Sequence, residues 1–183
     1  FRTAGARRPV DRAAQPTETR IKALSEAGSL ATFQGDYVAA SRSYEEGLAA
    51  SRQSGNKLHE MYLLINLGSV ATERGAYSVA RAYLEESLAS QRDMNNLGGM
   101  AAALLYLGEL ARCEEDFAAA EKAYLESLAL YRQQEDISAV AWTLHNLACV
   151  CRQREDSEQA ADLFRQSLGL FRPLGYLRGL TAC

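Results

Sequence analysis

Apolar residues in this chain fall at helical spacing, and the whole pattern then returns forty positions later. Leu64, Leu67 and Ala71 mark one face of a helix, three and four residues apart. Tyr37, Ala40, Tyr44 and Leu48 mark a second stripe of the same kind. Short turn signals separate the stripes. After the first stripe of each period they read Gly35-Asp36, Gly75-Ala76, Glu115-Asp116 and Glu155-Asp156. After the second they read Gly55-Asn56, Asn95-Asn96 and Glu135-Asp136. Such pairs stop one helix and restart the next. An Asp in the second position can accept the free N–H groups of the helix it opens.

The repeat is gapless. Gly28 is followed at forty-residue steps by Gly68, Gly108 and Ala148, and Ala40 by Ala80, Ala120 and Ala160. Leu24 leads to Leu64, Leu104 and Leu144, Leu48 to Leu88, Leu128 and Leu168, and Tyr44 to Leu84, Tyr124 and Phe164. Each period therefore predicts two antiparallel helices. Gly28 and Ala40 sit where the pair would cross, because small residues let backbones approach. The large residue at Tyr44, Leu84, Tyr124 or Phe164 is expected to fill the gap toward the next unit. One helix pair cannot bury its apolar face alone, so the core has to come from stacked neighbours. Pro173 cannot donate to the carbonyl of Gly169, so the last helix should end about a turn early or bend.

Composition adds limits. The chain has 183 residues, 48% of them hydrophobic and 23% charged, with a formal net charge of -3. That is the balance of a folded water-soluble chain, without the electrostatic footprint of a nucleic-acid binder. No apolar run approaches the roughly eighteen residues needed to span a membrane. Residues 1–16 carry Arg2, Arg7, Arg8 and Arg12 and two prolines, and read as a linker or upstream tail. The chain opens at Phe1 without a signal-peptide pattern and stops at the start of what would be a further helix. Both ends are expected to be cuts in a longer protein, and the location cytoplasmic.

Leu64, Leu67-Gly68, Ala71, Tyr77, Ala80, Leu84 and Ser87 resemble the signature of the tetratricopeptide repeat. Leu104, Leu107-Gly108, Ala111, Phe117, Ala120, Tyr124 and Ser127 do the same, as do Leu24, Ala27-Gly28, Ala31, Tyr37, Ala40 and Tyr44, and repeat four follows more loosely, with Ala148 for the Gly and Ser157 for the aromatic. The common unit is about 34 residues with a closing Pro. Here Arg52, Arg92, Arg132 and Arg172 stand at that Pro position, and the extra residues should lengthen the helices around the second loop. The resemblance implies an all-α, right-handed superhelical solenoid over residues 17–183. Its units run over about 18–56, 57–96, 97–136 and 137–176, with the start of a fifth after them. In style the units are similar to the C-terminal arrays of bacterial LuxR- and AfsR-type ATPase transcription regulators. Kinesin light chain and the Leu-Gly-Asn repeat adaptor also have arrays of this style.

The family's geometry implies that the first helix of each unit lines a concave groove. In repeat two this selects Tyr62, Ile65, Asn66, Ser69 and Thr72. In repeat three it selects Ala102, Leu105, Tyr106, Glu109, Arg112 and Cys113. In repeat four it selects Trp142, His145, Asn146, Cys149, Arg152 and Gln153, and repeat one offers Lys22, Ser25, Glu26, Ser29 and Thr32. Trp, Tyr and Arg are frequent binding anchors, and Asn can both donate to and accept from a peptide backbone. Asn66 and Asn146 match the peptide-gripping Asn of the kinesin light chain type, but Tyr106 interrupts that ladder. Of the carboxylate-clamp positions in cochaperone arrays only Asn66 survives, so an EEVD-like terminus is not expected as ligand.

Reactive chemistry is sparse. Cys113, Cys149, Cys151 and Cys183 form no CxxC pair, and the two histidines, His59 and His145, bring no third ligand together with Cys149. Gly98-Gly99 is a lone pair, not a phosphate loop. The reading is a non-enzymatic interaction module without metal or cofactor, which takes a protein or peptide segment in its groove. A small-molecule sensor array of a regulator is the alternative. Self-association through the uncapped end near Leu180 is a third reading.

Overall fold

The computed structural model describes residues 14–173, with side chains from Thr17 onward. The expectations for the arginine-rich tail, for Cys183, for the start of a fifth unit and for pairing near Leu180 lie outside the described residues. Within them the chain is all-α. Eight helices follow one another: α1 (Ala14–Phe33), α2 (Tyr37–Ser54), α3 (Lys57–Glu73), α4 (Tyr77–Asp93), α5 (Leu97–Cys113), α6 (Phe117–Gln133), α7 (Ile137–Gln153) and α8 (Ser157–Phe171). The forty-residue period divides evenly in the middle of the chain, as two 17-residue helices and two short turns. Two compact units are present, Phe1–Glu60 and Met61–Cys183, and the division falls inside α3.

All seven turns use one device. Their left-handed residues are Gly35, Gly55, Gly75, Asn95, Glu115, Glu135 and Glu155, with φ between 50° and 76°. The N–H of the following residue closes the preceding helix by reaching back five positions: Asp36 to the Ala31 carbonyl at 2.9 Å, Asp116 to Ala111 at 2.9 Å, Asp156 to Cys151 at 2.9 Å. This is a Schellman-type end. The side chain of that same residue then opens the next helix. Asp36 accepts from the Ala39 N–H, Asp116 from Ala119, Asp136 from Ala139 and Asp156 from Gln159, at 2.9–3.1 Å. Asn56 and Asn96 do the same for His59 and Gly99. Ala76 has no side chain for the purpose.

In the first unit, α1 and α2 cross at Gly28, where an added Cβ would meet the Tyr44 ring at 2.4 Å. Pro16 falls in the first turn of α1, where a missing N–H costs no helical hydrogen bond. The buried Glu60 carboxylate at the start of α3 meets Lys57 at 2.9 Å and Arg52 at 3.5 Å.

The second unit repeats the crossing. Gly68 meets Leu84 and Gly108 meets Tyr124, at 2.5 and 2.6 Å from a would-be Cβ. The large residue therefore lies on the glycine of its own repeat, and it also reaches the next repeat as expected, Leu84 sharing a core with Leu110. Tyr124 and Leu128 do share a core with Val140, Leu144 and Leu147 of the following repeat. Sealed serines add a second tie within each pair. Ser87 Oγ donates to the Met61 carbonyl at 3.0 Å, Ser127 to Ala101 at 2.8 Å and Ser167 to Ala141 at 2.8 Å. α8 has 15 residues against 17 in α4 and α6, so it stops two residues early beside Pro173, less than the full turn expected.

Candidate functional site

In the second unit the first helices of three consecutive repeats, α3, α5 and α7, leave a pocket of about 500 Å³ between them. Its lining comes from the last turns of α3 (Ser69, Glu73), the middle of α5 (Leu105, Tyr106, Glu109) and the first half of α7 with its cap (Asp136, Ser138, Ala139, Trp142, Asn146). Glu73, Asp136 and Trp142 are exposed, so the pocket opens to solvent.

Six residues expected from the sequence meet here: Ser69, Leu105, Tyr106, Glu109, Trp142 and Asn146. Others stand apart. Tyr62 is 50% exposed but does not line the pocket. Ile65 is buried with Leu88, Ala103 and Leu104. His145 is buried, edge-on to Phe164 with ring centres 5.3 Å apart, and Cys149 is buried as well. These three are buried and do not line the pocket, because each first helix packs against its neighbours and only a narrow stripe escapes. Arg152 is exposed outside the pocket lining, and Asn66 is half-buried with its amide nitrogen lacking a hydrogen-bond partner. In repeat one, Ser29 and Thr32 donate to carbonyls of their own helix, those of Ser25 and Gly28. Ser29 also meets the Tyr44 hydroxyl at 3.2 Å.

Glu73, Asp136, Ser138 and Ala139 are absent from the sequence-based selection. Their signal was present: Glu73 lies four residues after Ser69, and Ser138 and Ala139 lie four and three before Trp142, on the same helix faces. What the pattern lacks is the offset between helices that brings the end of α3 to the start of α7.

The wall is held rigid from behind. Glu109 forms an ion pair with Arg112 and accepts a hydrogen bond from the Tyr124 hydroxyl at 3.0 Å. Burial, reinforced by the Glu109 charge, pushes the Tyr124 phenol well above its ordinary range. Burial and the Asp136 carboxylate push the Tyr131 phenol up to about 12. Trp142 is set by Phe171, ring centres 5.0 Å apart at 71°, and still keeps 38% of its surface accessible. Burial, then the Arg152 charge, lowers the His145 pKa, which keeps this imidazole neutral behind the site. Burial raises the thiol pKa of Cys113 and of Cys151, so neither is an activated thiolate. Among the described residues no three His, Cys, Asp or Glu side chains gather as a metal site. Nor is any described helix long and apolar enough to cross a membrane.

Solved structures share this architecture. BtubC (BKLC) from P. vanneervenii superposes with a TM-score of 0.72 at 18% identity, over 87% of this chain and 66% of that one. The apo form of RapI gives 0.71 at 14% identity, over 88% of this chain and 44% of that one. The nearly identical repeats of a putative kinesin light chain from Podosopora anserina give 0.58 at 12% identity, over 86% and 97%. At these identities the likeness is one of fold. The chain spans about two thirds of BtubC and less than half of RapI. No curated protein sequence matches it. A tetratricopeptide repeat model matches residues 19–93 and 99–172, and with the helix pairs, glycine crossings and repeated turns described above, the chain belongs to the tetratricopeptide repeat family.

Proposed function

We propose that the chain is an interaction scaffold that holds an extended segment of another protein in the pocket between α3, α5 and α7. One observation carries this reading: the pocket crosses the first helices of three successive repeats and opens to solvent, with Tyr106 and Trp142 in its walls. A site sealed within a single helix pair would suit a small effector better. Trp142 packs edge-on against Phe171 while still exposed, so it offers contact area with less side-chain freedom to lose than an unpacked ring. The wider reading is that this scaffold is part of a bacterial signalling or transcription-regulating protein, supported by the Arg- and Ala-rich style of its repeats.

The test is direct. Random dodecapeptides displayed on phage are panned on the immobilised 183-residue chain and on its Ala139→Arg variant. Ala139 is half-buried in the pocket wall, and an arginine there fills the space. Peptides recovered on the parent chain should lose binding to Ala139→Arg at least tenfold, with helix content unchanged by circular dichroism. Peptides that ignore the substitution would remove the pocket from the reading.

A further inference from the structure

We infer that a second copy of this chain docks on the outer face of α1 through its own last repeat, with α8 set against α1 as α4 is set against α5 and α6 against α7. The inner junctions define what such a face looks like. Ala103 and Leu110 on α5, and Thr143 and Val150 on α7, are fully buried. The second helix of the preceding repeat packs there: Leu84 of α4 shares a core with Leu110, and Tyr124 of α6 shares one with Val150. Forty-residue steps carry the same positions to Ala23 and Leu30 on α1. Both are exposed, Leu30 by 58%. Leu24 is half-buried, although Leu104 and Leu144 at its position are buried. Terminal units of repeat arrays that face water carry a polar outer surface. This one is apolar, and the same end of the helix pair adds Phe33, 91% exposed, and Val38, 70% exposed. At the position of Phe33 the later repeats carry Glu73, Cys113 and Gln153.

The chain also carries the matching surface. Phe164 and Leu168 of α8 stand at the positions from which Leu84 and Leu88, and Tyr124 and Leu128, reach the next repeat. Those four are buried, whereas Phe164 and Leu168 are only half-buried. The inner register places Phe164 of one copy on Leu30 of the other, as Leu84 lies with Leu110. It places Leu168 on Leu24, as Leu88 lies with Leu104. The rim agrees. Inside the chain, residues 33 apart pair across each junction, Arg81 with Glu114 and Glu121 with Arg154. The same register sets Ala161 of one copy against Gln34 of the other. Both are exposed and neutral, so no like charges meet there. The contact joins one end of the chain to the opposite end of the next, so a third copy can add in the same way.

The test is sedimentation of the 183-residue chain over a range of concentrations, where the mean mass should rise above that of one chain. Leu30→Glu changes an exposed position, so helix content and melting curve should match the parent. It should weaken association by about tenfold or more, because docking would desolvate a carboxylate without a partner. Gln34→Glu/Ala161→Arg builds the inner ion pair into the junction and should associate about threefold more tightly than the parent, within the range of an exposed pair. Gln34→Arg/Ala161→Arg sets like charges there and should associate more weakly than the parent. A single chain at every concentration up to about 1 mM, the weak end of association, overturns the inference. So does association that survives Leu30→Glu, which would place the contact elsewhere. Association that is lost in Leu30→Glu but equal in the two charge variants would mean that α1 meets α1 of the other copy, and overturns the end-to-end arrangement.

Discussion

Gly108 shows how a single hydrogen atom decides the packing of a repeat. Its absent Cβ makes room for the Tyr124 ring, which is wholly buried and has no space to retreat. Gly108→Ala should therefore destabilise the fold by about 1–3 kcal/mol, although alanine is the better helix former. Gly169, in α8, has nothing within 4 Å of a would-be Cβ. Gly169→Ala should stabilise by up to about 1 kcal/mol from propensity alone. Urea titrations of both variants check the pair, and shifts in the same direction would refute the steric account. His145 has a different consequence at this scale. Its neutral form is favoured in the fold, mainly by burial, so the unfolded chain binds more protons below the ordinary imidazole value of about 6.5. Stability should decline as pH falls through that range. His145→Gln should flatten this part of the profile, and an unchanged slope would assign the loss to other groups. The period revealed that position 145 belongs to a first helix, but not that its side chain faces Phe164 and not the groove.

At the level of the helices, the turn is the unit that repeats most faithfully. One residue ends a helix with its N–H and starts the next with its side chain, so each turn needs only two or three residues. Ala76 is the exception, and α4 begins without a side-chain cap. Asp36, Asp116 and Asp156 show that the backbone at this register accepts aspartate. Ala76→Asp should raise stability by about 1 kcal/mol in a urea titration, and no gain would mean that the local backbone differs from its three counterparts. Exposed ion pairs also join neighbouring repeats at one register. Arg81 of α4 pairs with Glu114, and Glu121 of α6 pairs with Arg154 at 2.6 Å. The signs alternate, so each repeat is matched to its own successor. The turn signals were legible beforehand because capping depends on residues adjacent in sequence. The ion pairs, 33 residues apart, were not.

For the molecule as a whole, the equal period makes repeats interchangeable in outline. Deleting residues 97–136 would join Asn96 to Ile137 and keep a capping residue ahead of α7. Leu144 and Val150 would then stand where Leu104 and Leu110 pack now. The shortened chain should remain helical and unfold cooperatively, at lower urea concentration. Arg81 would face Arg154 where it now faces Glu114. Arg154→Glu in the shortened chain should recover up to about 1 kcal/mol, the range of an exposed pair. A shortened chain that is unfolded would show that the repeats are not equivalent bricks. The number of described helices, their order, their turns and the glycines at which they cross were all determined by the sequence itself. Periodicity and capping are written in residues that lie close along the chain. The site was decided only by the tertiary structure. The offset between packed helices carries Glu73 to Asp136 and turns Ile65, His145 and Cys149 inward, and that offset arises from side chains meeting across the stack, which no local spacing encodes.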